Sequence, residues 1–239
     1  MPGTVAAALP QLAILVELAL DTLASGGRIH YFGAGAGGRI ALGDALELAP
    51  TYGVGPETVC PHLAGGARAA TEPVESAEDL APLLDPGHLR RADLAVAVSA
   101  SGRTRYVRDA LAAARAAGAA TALLSGDPRS PLAALVDLHI VLDTGPELVT
   151  GSTRMKAGTA QKLALNAFST ALMVRSGRTR AGRMVAASTS NEKLRARAVQ
   201  TLSAVQEIGE QQAARLLDEY GGDLAAAVRA DACKVQTRE

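Results

Sequence analysis

Asp93-Leu94-Ala95-Val96-Ala97-Val98, followed by Ser99-Ala100-Ser101-Gly102-Arg103-Thr104, is the stretch that decides the fold. An almost unbroken apolar run suits a strand buried on both faces. The hydroxyl- and glycine-rich loop after it leads into an alanine-rich helix reaching Ala117. The same cadence occurs upstream. Arg28 to Phe32 reads as a strand entering the glycine run Gly33-Ala34-Gly35-Ala36-Gly37-Gly38, and a helix is expected from Arg39 to Leu48. It recurs downstream, with strands at Ala119–Leu124 and Leu138–Leu142 and a long helix over Thr153–Val174, capped by Ser152 or Thr153. Before all of these, Leu12, Leu15, Val16, Ala19 and Leu23 line one stripe of a helix over Ala6–Ala24, which Gly26-Gly27 stops.

Strands alternating with helices predict an α/β fold: a three-layer, Rossmann-like sandwich with a mostly parallel sheet flanked by helices. In such sheets ligands sit beyond the carboxyl ends of the strands. The loops at 33–38, 99–104 and 144–153 should lie there. From Asn191 onward the chain turns polar and helical, with no strand signal. The expected organisation is a ligand-binding domain over 1–185 and a small C-terminal helical subdomain over 186–239.

Composition narrows the partners. The 239 residues carry 24 Lys+Arg and 24 Asp+Glu. A nucleic-acid partner is not expected, because polyanion binders carry a basic excess. Leu12 to Leu23 is too short to cross a bilayer, and the N-terminus lacks a basic signal region, so no membrane partner is expected either. Two cysteines, Cys60 and Cys233, without metal-type spacing fit a reducing cytoplasm. His30 and His139 lie inside strand patterns and read as core or edge residues rather than catalytic ones.

The loops carry the chemistry. Gly33, Gly35 and Gly38 have dinucleotide-type spacing, but no acidic residue suited to a ribose follows the next strand, so a nucleotide is not expected, and a tight strand-to-helix turn is a further reading of these glycines. Ser99, Ser101, Gly102, Arg103 and Thr104 are more specific. Backbone N–H groups at a helix N-terminus attract an anion, hydroxyls add donors, and Arg103 adds charge. A phosphate monoester fits such a loop; a helix cap without a ligand is the alternative.

Several segments together resemble the N-acetylmuramic acid 6-phosphate etherases, whose fold is the sugar-isomerase (SIS) domain. They are Gly33-Ala34-Gly35 with Gly38-Arg39, Asp44-Ala45-Leu46-Glu47, Pro50-Thr51, Ser101-Gly102-Arg103-Thr104, Thr144 to Leu163, and Asn191 to Ala198. They match in order and spacing from about residue 10 to about residue 200. The resemblance implies removal of D-lactate from C3 of N-acetylmuramic acid 6-phosphate, leaving N-acetylglucosamine 6-phosphate, in cell-wall recycling and amino-sugar catabolism. Ring opening to the aldehyde makes the C2 proton acidic. Elimination of the C3 ether and addition of water then need one base and one acid, and no metal or organic cofactor. By resemblance Glu47 is the acid toward the ether oxygen and Glu78, in Glu75-Ser76-Ala77-Glu78-Asp79, is the base. Substrate and phosphate contacts are implied for Gly35, Gly38, Arg39, the 99–104 loop, Glu147, Ser152, Thr153 and Lys156. Glu147 either assists ring opening or caps the next helix. A homodimer is also implied.

The sequence departs from the family pattern in three places. Ala36-Gly37 replaces Thr-Ser, Leu48-Ala49-Pro50-Thr51-Tyr52 replaces Cys-Pro-Pro-Thr-Phe, and the family's usual N-terminal segment does not precede the first helix. Ser99 stands where the family carries alanine, so it is expected to supply the hydroxyl missing at Gly37. A different phosphosugar lyase or isomerase, or a non-catalytic phosphosugar regulator, stays open at this level.

Overall fold

The computed structural model describes residues 1–80, 88–187, 189 and 191–235, without the side chains of Glu75 and 231–235. The chain divides into two compact units, one comprising 1–46 and 56–172 and the other 47–55 and 173–239.

The first unit is built on a five-stranded sheet. Its strands are β1 (Ile29–Gly33), β2 (Val59–Leu63), β3 (Leu94–Ser99), β4 (Ala120–Ser125) and β5 (Leu138–Val141). Every pairing is parallel, in the order β2-β1-β3-β4-β5. The three central strands are apolar nearly throughout because helices cover both faces. On one face α5 (Arg105–Ala116) buries Val107, Leu111 and Ala114 against Phe32, Ala95, Ala97 and Leu123. Side chains of β1 alternate, so Tyr31 points to the other face, where its ring lies 6.5 Å from that of Phe168. Phe168 belongs to α6 (Lys156–Arg175). Helix α2 (Leu9–Ala24), preceded by the short α1 (Pro2–Ala7), presents Leu12, Leu15, Val16 and Ala19 to its core.

Three differences from the sequence reading have physical causes. The helix expected over 6–24 is broken between Ala7 and Leu9, where Pro10 opens the first turn of α2. The strand β2 has no counterpart among the expected elements. It is an edge strand bonded only to β1, and Pro61, which cannot donate to a ladder, hides its pattern. The helix expected from Thr153 starts at Lys156. The Glu147 carboxylate, not Ser152 or Thr153, accepts the N–H groups of Lys156 and Ala157, both at 2.9 Å.

Order 2-1-3-4-5 reverses direction between β1 and β3. Loops leaving these neighbouring strands diverge to opposite faces and open a crevice between them. The loop after β1 opens α3 (Gly35–Tyr52), and the loop after β3 opens α5. Beyond β2 lie α4 (Gly66–Thr71) and a 3₁₀ turn over Glu75–Asp79.

The second unit contains the two-stranded ladder β6 (Thr179–Arg180) and β7 (Arg183–Met184), then α7 (Glu192–Gln206), α8 (Glu210–Glu219) and α9 (Leu224–Val235). Its own core gathers Val185, Ala198, Leu202, Ala213, Leu217, Leu224 and Val228. Asn191 caps α7 by accepting the Leu194 N–H at 2.9 Å.

Candidate active site

The 99–104 loop is held by its own hydroxyls. The buried Ser99 Oγ accepts the Gly102 N–H at 3.1 Å and lies 3.0 Å from Thr104 Oγ1. Gly102 adopts a left-handed φ of +61°, and a Cβ there would stand 2.3 Å from Ser130 Oγ. Ser130 donates to the Gly102 carbonyl at 2.7 Å, closing the turn. The result is a tight loop whose exposed Ser101 lies just before an α5 N-terminus that Thr104 does not cap with its side chain. Helix N–H groups left without a side-chain cap suit an anion. The Arg103 guanidinium contacts Asp127 at 3.0 Å, so its charge at the loop is shared. Hydrogen bonds from Arg129 N and Arg103 hold the Asp127 carboxyl below its ordinary range.

The loop after β1 turns at Gly35, with φ +53°, and a Cβ there would stand 2.8 Å from Glu78 Oε1. The exposed Glu78 carboxylate therefore rests against this turn, at the carboxyl end of β1. Glu47 lies on the same helix that Gly35 begins, twelve residues further on, and is exposed. It belongs to the second unit, Glu78 to the first.

One turn before Glu47, Asp44 is buried and accepts hydrogen bonds from Tyr31 Oη at 3.2 Å and Ser169 Oγ at 3.1 Å. Burial raises the Asp44 carboxyl above its ordinary value, against the pull of Ser169, Lys162 and Tyr31. Asp44 pins β1, α3 and α6 together.

Other residues named from sequence are occupied structurally. Arg39 donates to the carbonyls of Ala69 at 2.8 Å and Glu72 at 2.9 Å, bracing the end of α4. Lys156 Nζ donates to the Thr144 carbonyl at 3.0 Å. Glu147 caps α6, and the Ala157 N–H foremost holds its carboxyl below the usual range. The Thr153 carbonyl accepts the Gly158 N–H at 2.8 Å, while Ser152 N–H donates to the Val149 carbonyl at 3.0 Å. The 144–153 loop is thus a folded collar around the start of α6.

Sequence reasoning missed Gln161. It is only 2% exposed, yet neither amide atom has a hydrogen-bond partner among the described residues. Its Oε1 lies 3.2 Å from where a Cβ on Gly37 would be. A side chain at position 37 would therefore stand next to this amide. The signal was present, since Gln161 falls within the matched segment, but only the fold brings it to the β1 loop.

Comparison with known proteins bears on the family and the fold. The family model described as SIS domain matches residues 72–171. The N-acetylmuramic acid 6-phosphate etherase of Thermobifida fusca (strain YX) is 50% identical over 225 residues, 93% of this chain and 74% of that protein. Its counterpart in Deinococcus radiodurans is 43% identical over 94% of this chain and 75% of its own length. That of Cutibacterium acnes is 43% identical over 95% and 76% respectively. Among solved structures, a protein of Escherichia coli CFT073 superposes with TM-score 0.53, at 18% identity, over 75% of this chain and 87% of its own. A phosphoheptose isomerase from Francisella tularensis gives TM-score 0.51, at 16% identity, over 69% and 86%. At such identities these structures speak for the fold alone.

Proposed function

The chain belongs to the N-acetylmuramic acid 6-phosphate etherase family, and we propose that Glu78 and Glu47 carry its reaction as base and acid. It is an enzyme, a carbon–oxygen lyase acting on a phosphosugar. It cleaves the lactyl ether of N-acetylmuramic acid 6-phosphate to N-acetylglucosamine 6-phosphate and D-lactate. In the opened sugar Glu78 takes the C2 proton, the C2–C3 double bond forms, and the C3–O bond breaks. Glu47 protonates the departing oxygen, which leaves as the hydroxyl of D-lactate. Water then adds to C3, giving a proton to the Glu47 carboxylate, while Glu78 returns one to C2. Both groups end as they began, so the cycle needs no cofactor.

The observation that carries this assignment is Glu78 resting on the Gly35 turn at the switch point of the sheet. The phosphate is assigned to the 99–104 loop, through Ser101, Thr104 and the N–H groups that open α5. Glu47 is supported by its place in the matched Asp44-to-Glu47 segment. The working assembly is a homodimer, supported by the bare apolar side chains of Leu148, at 88% exposure, and Val149, at 59%, on the 144–153 collar. A reducing cytoplasm suits the free Cys60 thiol. No helix among the described residues is long and apolar enough to cross a membrane.

The test is product analysis in deuterated water with N-acetylmuramic acid 6-phosphate. Wild type should release D-lactate and a sugar deuterated at C2. Glu78→Gln should lose turnover and C2 exchange by about 10²–10⁴-fold. Glu47→Gln should lose D-lactate release by a similar factor but keep more of the exchange. Near wild-type turnover in both variants overturns the assignment.

A further inference from the structure

We infer that His30, His62 and His88 form a binding site for a divalent transition-metal ion, zinc by preference, at the β2 edge of the sheet. The three come from separate segments: β1, β2 and the stretch just before β3. One ring nitrogen from each lies within 4.8 Å of the others. His30 Nδ1 and His62 Nε2 are 2.9 Å apart, and the His88 ring stands roughly edge-on to both, at centroid distances of 5.5 and 5.0 Å. Zinc bonded to imidazole at about 2.0–2.1 Å in tetrahedral geometry sets its ligand nitrogens about 3.4 Å apart. Rotation of the half-buried His88 and His62 rings closes the difference.

Three further features point to a cation rather than to packing alone. His88 Nε2 is buried and has no hydrogen-bond partner among the described residues. The Asp93 carboxylate lies 3.4 Å from His30 Nε2, the nitrogen turned away from His62. Asp93 is itself fixed by the Arg28 N–H at 2.8 Å, the Arg90 N–H at 2.9 Å and the Arg90 guanidinium at 3.0 Å. A carboxylate behind a histidine whose other nitrogen faces its fellow ligands is the outer shell that orients metal-binding imidazoles. A cavity of about 440 Å³, lined by Pro61, Leu63, Gly65, Leu80 and Tyr106, opens onto the His62 side of the cluster.

The neutral imidazole is the form that binds metal. The Arg28 guanidinium is the opposing charge. It donates to the His88 carbonyl at 2.6 Å and lies 3.7 Å from Asp93, which offsets it. Three imidazoles suit zinc, cobalt, nickel or copper and not magnesium or calcium. The bound ion would tie β1, β2 and the approach to β3 together, beside the Gly65 turn on which Val74 and Ala77 of the Glu78 segment rest.

The test uses the full chain, tag-free and stripped of metal. Calorimetric titration with zinc should show one equivalent bound. The melting temperature should rise with zinc and not with magnesium. Cobalt(II) should give the intense visible absorption of a four-coordinate site. His62→Gln and His88→Gln, both at half-buried positions, should each weaken zinc binding at least ten-fold while circular dichroism stays native. Absence of zinc binding, or unchanged binding in both folded variants, overturns the site. Should both variants unfold, the cobalt spectrum of the wild type decides: a weak six-coordinate spectrum refutes the proposal.

Discussion

Asp44 shows how much one buried carboxyl does. Tyr31 and Ser169 both donate their hydroxyl protons to it, so Asp44→Ala strands two buried donors. The expected cost is about 3 kcal/mol, measured by denaturant unfolding. Asp44→Asn keeps the shape and removes the charge. Because the folded value is raised, the fold binds a proton at Asp44 more readily than the unfolded chain does. That stability is complete below the unfolded value and is lost as pH rises through the folded one. The asparagine variant should therefore gain on wild type as pH climbs from about 4 to 8, and a flat difference across that range would refute the raised value. Gln161 has the opposite problem, with a buried amide and no partner among the described residues. Gly37→Ser places a hydroxyl within its reach, with a few tenths of an ångström of adjustment.

At the scale of elements, the 99–104 loop and the collar around α6 are the parts that substitutions will report on. Gly102→Ala meets both a left-handed φ and Ser130 Oγ, so it should cost at least ~2 kcal/mol of stability and abolish binding of a sugar 6-phosphate. The sequence reading has Ser99 replacing the hydroxyl missing at Gly37. In the fold that hydroxyl is already shared between Gly102 N and Thr104 Oγ1. Ser99→Ala should then weaken the ligand by about 1 kcal/mol through a looser loop. Adding Gly37→Ser should change affinity independently, with coupling under about 0.5 kcal/mol in a double-mutant cycle. Larger coupling would mean that both hydroxyls reach the same anion. For α6, Glu147→Ala frees two N–H groups and should lower the melting temperature. Since Glu147 titrates below its usual value in the fold, its contribution holds above about pH 4.5 and disappears in stronger acid. An equal loss at about pH 3 and about pH 7 would show that the cap is not electrostatic.

For the whole molecule, the prediction is association. Leu148 and Val149 stand bare on a loop that is otherwise well bonded, and Leu163 of α6 is also partly exposed. A second copy covering them would remove this apolar surface from water. Sedimentation at micromolar concentration should find a dimer, and Leu148→Asp should shift it toward monomer. A wild-type monomer at that concentration would rule the dimer out.

Much of this was readable from the chain itself. Apolar runs such as Leu94–Val98, each followed by a glycine- or serine-rich loop, require a parallel sheet with helices on both faces, because strands without a polar side must be covered twice. The Glu47 and Glu78 segments could be singled out in the chain because each lies in a short motif resembling the family's, while their roles as acid and base are a proposal. Strand β2 was not legible, since Pro61 and an edge position leave little pattern. The cap on α6 was legible only as one of two roles for Glu147, beside ring opening, and as a rival to Ser152 or Thr153; the choice rests on a turn that brings its carboxylate to a helix start nine residues away. The meeting of His30, His62 and His88, and of Gln161 with Gly37, was decided by tertiary structure alone. These residues are far apart in sequence, and only strand order and helix packing bring the three imidazoles within 4.8 Å of one another and the Gln161 amide next to Gly37.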